Sequence, residues 1–228
     1  RKWDARVSKN VDYYISNSKF TRQRIRDFYG RDAHVIYPPV EIEKFQIEKT
    51  KEDYYVSASR FVCYKKVELV VEAFNKMPDK KLILIGDGNR KSLIEKMAGP
   101  NIQVLSHLAF EDFHRYMRKA KAFVFAGKED FGITLVEAQA CGTPVIAFGE
   151  GGASEILIDS KTGVLFSEQS TESLINAIHS FETVFEMHYS AELIRQNAER
   201  FSLDRFNSEV LDFIKKCLSE KKSRQSTS

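Results

Sequence analysis

The sequence predicts an α/β fold built on a doubly wound, Rossmann-like parallel sheet, and three observations lead there. From about residue 54, short apolar runs alternate with segments of helical periodicity. Those runs are mostly apolar, which favours strands covered on both faces over a half-exposed sheet. The local punctuation also suits crossover units: Gly142 follows a helix end where a left-handed cap is wanted, and Pro144 bars the helix from continuing. Strands separated by helices of this length pair in parallel.

In chain order, the first 45 residues read as a strand at Val11–Ile15, a helix at Lys19–Tyr29 and a strand at His34–Tyr37. Pro38 and Pro39 then stiffen the chain into a linker or hinge. The main sheet takes its strands from Tyr54–Ser57, Lys81–Ile85, Ile102–Leu105, Ala122–Ala126, Pro144–Ala147 and Gly163–Phe166. Between them lie helices at Val67–Lys76, Arg90–Met97, Phe110–Lys119, Ile133–Cys141 and Thr171–Glu182. A last helix, Leu203–Leu218, places Phe206, Val210, Phe213, Ile214 and Cys217 on one face. The polar tail Ser219–Ser228 is expected to be disordered. This gives three parts: residues 1–45 as the end of another domain with its linker, 46–202 as the ligand-binding domain, and 203–228 as helix and tail.

A chain of 228 residues is large enough to bury a real core. The formal net charge of +3 is nearly balanced, so charge gives no signature of a nucleic-acid partner, and none is expected. Cys63, Cys141 and Cys217 show no metal or redox spacing, which favours a reducing, cytoplasmic setting. No apolar run reaches the ~18–20 residues of a membrane helix, so any membrane association is expected to be peripheral, at the cytoplasmic face. The chain opens on Arg1 and not on methionine, which suggests a processed, excised or truncated polypeptide.

Glu129 and Glu137 carry most of the functional signal. The segment Glu129-Asp-Phe-Gly-Ile-Thr-Leu-Val-Glu137 passes from a strand end through a Phe-Gly turn into a helix. In open parallel sheets, ligands bind beyond the carboxyl ends of the strands, at helix N-termini. The turn Phe131-Gly132-Ile133 offers backbone N–H groups to an anion. A carboxylate accepts two hydroxyl donors at once and so suits a vicinal diol. The competing reading is a surface helix with two solvated glutamates, and the surrounding Phe-Gly, Glu-Ala and Gly-x-Pro-Val-Ile-Ala pattern argues against it.

Ser59-Arg60-Phe-Val-Cys-Tyr-Lys65-Lys66 follows the first strand of the main sheet. Arg60 and Lys65 there suit a diphosphate, the one as a planar fork and the other as a compact charge, unless the turn is merely a solvated basic loop. Gly86-Asp-Gly88 is a weak dinucleotide fingerprint, because it lies on the second strand and lacks the third glycine. A tight turn facing the ligand crevice fits it better. Gly149, Gly151 and Gly152 close a later strand and permit close backbone approach to a ligand. His107 follows a strand end, but no histidine pair has metal spacing and no D-x-D motif is present.

Taken together, these residues resemble the retaining glycosyltransferases of family 4, whose GT-B architecture sets two Rossmann-like domains face to face. The resemblance runs through Tyr14-Ile-Ser-Asn-Ser18, Val35-Ile-Tyr-Pro-Pro-Val40, Ser59-Arg60 with Lys65-Lys66, and Gly86-Asp-Gly88. It continues through Glu129 to Glu137 and Gly142-Thr-Pro-Val-Ile-Ala147 to Gly151-Gly152 and Glu155. It implies that Arg60 and Lys65 neutralise the donor diphosphate and that Glu129 contacts the transferred sugar, these three forming the catalytic set. It implies further that Phe131, Gly132 and Ile133 approach sugar and phosphate with their backbone, that Glu137 binds the ribose, and that the turns at Gly86–Gly88 and Leu105–Leu108 meet the base. No metal or other cofactor is expected.

By the same resemblance the donor is a nucleotide sugar, GDP-mannose first and UDP-glucose next, and the acceptor a glycan or glycolipid. One departure stands out: Lys66 occupies a position where the family often has glycine. The chain also supplies only the donor-binding half, so a missing amino-terminal domain is expected to complete the enzyme. The alternatives are a nucleotide-sugar-binding module without chemistry and a GT-B epimerase or phosphorylase.

Overall fold

The computed structural model describes residues 2–186 and 189–226. The amino-terminal piece comprises helix α1 (Lys2–Val7), strand β1 (Ile15–Ser16), helix α2 (Lys19–Tyr29) and strand β2 (His34–Val35), with β1 and β2 paired in parallel. The expected strand at Val11–Ile15 shrinks because the guanidinium of Arg31 donates to the Val11 carbonyl at 2.8 Å, removing it from any ladder. The second strand likewise ends at Val35, short of Tyr37.

Six strands make the main sheet: β3 (Tyr55–Ala58), β4 (Leu82–Ile85), β5 (Ile102–Leu105), β6 (Phe123–Phe125), β7 (Val145–Phe148) and β8 (Gly163–Phe166). All pair in parallel, in the spatial order β5-β4-β3-β6-β7-β8. Pro144, expected as a strand residue, lacks an N–H and contributes only its carbonyl, which accepts from Phe123 at 2.8 Å. The helices are α3 (Val67–Asn75), α4 (Lys91–Met97), α5 (Phe110–Lys119), α6 (Ile133–Ala140), α7 (Ala153–Ile156), α8 (Thr171–Ser180), α9 (Ala191–Glu199) and α10 (Leu203–Ser226). Sequence periodicity did not reveal α1, α7 or α9. The expected helix at Thr171–Glu182 gives way at Phe181 to a π turn through Phe185, which aims Glu182 at the Tyr55 hydroxyl and the Lys80 ammonium, 2.8 and 2.7 Å away.

Side chains alternate across the strands, so the sheet carries a core on each face. Val56, Ile83, Phe123 and Val145 enter one core with Met117 of α5 and Leu135 of α6. Tyr55, Leu84, Val124 and Ile146 enter the other with Phe74 of α3 and Ile178 of α8. Val40, Ile42 and Phe45, assigned by sequence to the linker, are buried in the first core, and the Val40 N–H donates to the Phe201 carbonyl at 2.8 Å.

Helix α10 returns to the amino-terminal piece. Phe213 stacks on His34 with ring centroids 4.7 Å apart and meets Tyr13 edge-on at 6.2 Å. The expected disordered tail is instead helical as far as Ser226, because Tyr13 donates to Glu220 and Lys221 pairs with Asp12. Residues 227 and 228 lie outside the described residues. Ile214, expected on the inner face with Phe213, is exposed.

Lys66 stands at φ +54°, in the left-handed region that favours glycine, where it caps the start of α3. That conformation costs a residue with a Cβ about 1–2 kcal/mol, partly offset by the greater freedom glycine has when unfolded. Lys66→Gly should therefore stabilise the chain by about 0.5–1 kcal/mol, a gain of roughly 1–4 °C in Tm. A melting curve checks this, and a lowered Tm would contradict the strain argument.

Candidate functional site

Strand order reverses between β3 and β6, and at such a point the connections leaving the two strands diverge and open a crevice. Two loops border it. One, residues 59–66, leaves β3, and the other, residues 126–132, leaves β6. The Lys65 ammonium from the first lies in direct contact with the Glu129 carboxylate from the second, with side chains only 17% and 19% exposed. Aromatic rings flank the ammonium, Tyr64 at 5.3 Å and Phe125 at 5.6 Å. Burial pulls the Lys65 pKa down from its ordinary value, and the carboxylate opposite supplies the counter-charge. Gly127 permits the approach, since a Cβ there would lie 3.1 Å from both the Cα and the carbonyl oxygen of Lys65.

Each loop is pinned by one buried phenylalanine. Phe61 is fully buried in the core beneath α3, a burial worth about 1.5–3 kcal/mol. Its N–H donates to the Asp87 carbonyl at 2.8 Å, while its own carbonyl accepts from Arg90. A Cβ at Gly86 would collide with the Ser59 carbonyl, and one at Gly88 with that of Phe61. The two glycines thus let the turn after β4 press against the loop carrying Arg60 and Lys65. Phe131 plays the matching part in the acidic loop: it is buried, stacks on Tyr37 at 5.7 Å and meets Phe201 edge-on at 5.4 Å.

Gly151 and Gly152, expected to permit close backbone approach to a ligand, press on the acidic loop. Gly151 has φ +73° and bridges to Glu129, and the Gly152 N–H donates to the Glu129 carbonyl at 2.9 Å. A Cβ on either would strike the backbone of Glu129 or Phe131. These glycines hold Glu129 in place.

Gly132 caps α6 at φ +105°, with no side chain to satisfy the helix start. Among the described residues nothing accepts from the N–H groups of Phe131, Gly132 or Ile133, which leaves a positive helix end open at the crevice. Glu137 lies one turn further, on the face of Ile133, and side chains on a helix lean toward its N-terminus. It is mostly buried and makes no hydrogen bond or ion pair with any described residue. Burial therefore raises its pKa above the usual carboxylate value.

Arg60 is exposed at the loop crest, and its guanidinium has no partner among the described residues. His107, at φ +53°, reaches across to Asp87 at 3.0 Å on the far side of the turn after β4. The fold thus brings together Lys65, Glu129, Phe131, Gly132, Ile133 and Glu137, while Gly86 and Gly88 support them from behind. The sequence reading missed Gly127 and the aromatic flanks Tyr64 and Phe125. A glycine directly after an apolar strand was the available signal for the first. Among the described residues no group of three or more His, Cys, Asp or Glu side chains could hold a metal ion, and no helix is long and apolar enough to cross a membrane.

Residues 40–201 match the sequence model of the family described as Glycosyl transferases group 1. The chain belongs to that family. An uncharacterised glycosyltransferase of Methanocaldococcus jannaschii is 31% identical over 204 residues, covering 86% of this chain and 56% of the relative. A GDP-mannose-dependent alpha-(1-6)-phosphatidylinositol monomannoside mannosyltransferase of Mycolicibacterium smegmatis is 25% identical over 205 residues, covering 76% and 53%. The Anabaena protein HepE, crystallised with UDP and glucose, superposes with a TM-score of 0.78 at 21% identity, over 92% of this chain and 66% of its own. The fold is thus one Rossmann-like half of a GT-B glycosyltransferase. The chain spans about half the length of the curated relatives it matches.

Removing one partner of a mostly buried ion pair strands the other charge. Lys65→Met should cost about 1–3 kcal/mol of stability, and adding Glu129→Gln should restore part of that loss. Urea denaturation of the two single variants and the double variant measures the coupling. Simple additivity would show that the pair is not coupled.

Proposed function

We propose that this chain is the donor-binding part of a retaining glycosyltransferase that moves a hexosyl group from a nucleotide sugar to a glycan or glycolipid. The observation that carries the proposal is the cluster at the strand-order reversal: a Lys65–Glu129 pair, an open helix N-terminus and the unpartnered carboxylate of Glu137. A nucleotide sugar offers a matching group to each. Its diphosphate takes the N–H groups of α6 together with Lys65 and Arg60, which also stabilise the charge that develops on the leaving nucleotide. The hexose hydroxyls engage Glu129, and the ribose diol supplies the two donors that Glu137 lacks. The base lies toward the turn after β4.

Two cationic side chains in place of a metal make metal-independent transfer the fitting mechanism. GDP-mannose is the first choice of donor, supported by the mannosyltransferase relative, and the UDP held by HepE makes UDP-hexose the second. Exposed Phe28, Leu211, Ile214 and Leu218 offer apolar surface to a further, acceptor-binding domain.

A thermal-shift panel of GDP, UDP, ADP and their hexose conjugates tests this reading. At about a hundred times its Kd the true donor adds ~2.7 kcal/mol, or roughly 5–10 °C. Glu137→Gln should abolish most of that shift while raising the melting temperature of the free chain. The sign follows from the raised pKa: folding disfavours the ionised carboxylate, so Glu137 costs stability above its unfolded pKa, and a neutral amide removes the cost. For the same reason donor affinity should fall as acid protonates Glu137. No shift with any nucleotide would refute the assignment.

A further inference from the structure

Glu155 belongs to α7, yet its carboxylate is spent on the amino-terminal piece. One oxygen accepts from the Phe20 N–H and the other from the Lys19 N–H, each at 2.9 Å. Ser18 accepts from Thr21 at 2.9 Å, so three of the first N–H groups of α2 are satisfied, two of them from across the fold. The Tyr37 hydroxyl also donates to Glu155 at 2.9 Å, and burial, with the carboxylate second, pushes the Tyr37 pKa up to about 12.

The amino-terminal piece in turn grips the acidic loop on both sides of Glu129. Arg24 of α2 pairs with Asp130 at 2.5 Å. The Lys128 ammonium lies 5.0 Å from the Phe20 ring. Tyr37, held by Glu155, stacks on Phe131. Gly151 and Gly152, just ahead of α7, close the circuit by bridging back to Glu129. The three neighbours Lys128, Asp130 and Phe131 all touch α2 or Tyr37, and Glu155 sets where both of those sit.

We propose that Glu155 is a positioning residue for sugar recognition: it seats α2 and Tyr37, and through them orients Glu129 toward the hexose. The seating of the amino-terminal piece and the grip on the transferred sugar then become one coupled equilibrium. This inference rests on the assignment of Glu129 to the sugar. A carboxylate can accept from two N–H groups at a helix start, whereas an amide offers one oxygen and turns a donor toward the other N–H. Glu155→Gln therefore breaks the seat without changing volume.

Calorimetric titration of the chain with a nucleoside diphosphate and with its hexose conjugate separates the two contributions. In Glu155→Gln the extra affinity conferred by the hexose should fall roughly 5- to 20-fold, while affinity for the nucleoside diphosphate, which shares only the backbone of residues 131–133 and Lys65, falls no more than about twofold. Tyr37→Phe should act in the same direction and more weakly. Amide hydrogen exchange at residues 128–133 should quicken in Glu155→Gln. Full retention of the hexose gain, or a parallel loss for both ligands as a merely structural role would give, overturns the proposal. If the parent chain binds neither ligand, the donor-site assignment falls by itself. Exchange then decides whether Glu155 seats the acidic loop: faster exchange at 128–133 upholds the seating and unchanged exchange removes it.

Discussion

The contact between Lys65 and Glu129, made where the strand order reverses, organises the crevice around it. Two opposite charges meet there with most of their surfaces removed from water, so each loop must hold its charge against the other. The fold provides for this with two buried anchors, Phe61 and Phe131, and with glycines at 86, 88, 127, 151 and 152 where one backbone leans on another. Several of the glycines most suggestive of ligand contact therefore serve to place charged side chains. Their absence of a Cβ is a packing requirement.

Local compromises gather around the same crevice. Lys66 adopts a left-handed backbone, the start of α6 goes uncapped, and Glu137 is buried with no partner. Each costs stability in the free chain, and each is relieved by a ligand carrying phosphate or paired hydroxyls, except the Lys66 backbone, which no ligand contact addresses. By contrast Ser18, Ser170 and Ser190 each cap the helix that follows, and Gly30 closes α2 at φ +62°. A buried carboxylate without a partner among the described residues, beside an open helix start, marks that crevice as functional.

The main sheet was legible because its signal is local: four-residue apolar runs need burial on both faces, and only crossover units provide it. The helices at Lys19–Tyr29 and Phe110–Lys119 were legible to the residue, the first bounded by Ser18 and Gly30, the second with acidic residues in its first turn and basic ones in its last. What stayed hidden depends on distant partners. Arg31 takes the carbonyl that a longer first strand would have used, and Asp12 and Tyr13 give the polar tail a surface to dock on. At the site, the carboxylates and the Phe-Gly turn could be read from their spacing. The pairing of Glu129 with Lys65 across 64 residues, and the use of Glu155 as a cap for α2, required the fold itself.

On the proposed reading, the cluster between β3 and β6 receives a nucleotide sugar. A crystal structure of the chain with a nucleoside diphosphate hexose tests it most directly. The diphosphate should lie at the start of α6 beside Arg60 and Lys65, with the ribose on Glu137 and Lys65 drawn from Glu129 toward phosphate. A nucleotide bound elsewhere, with the Lys65–Glu129 contact and the Glu137 carboxylate untouched, would contradict it.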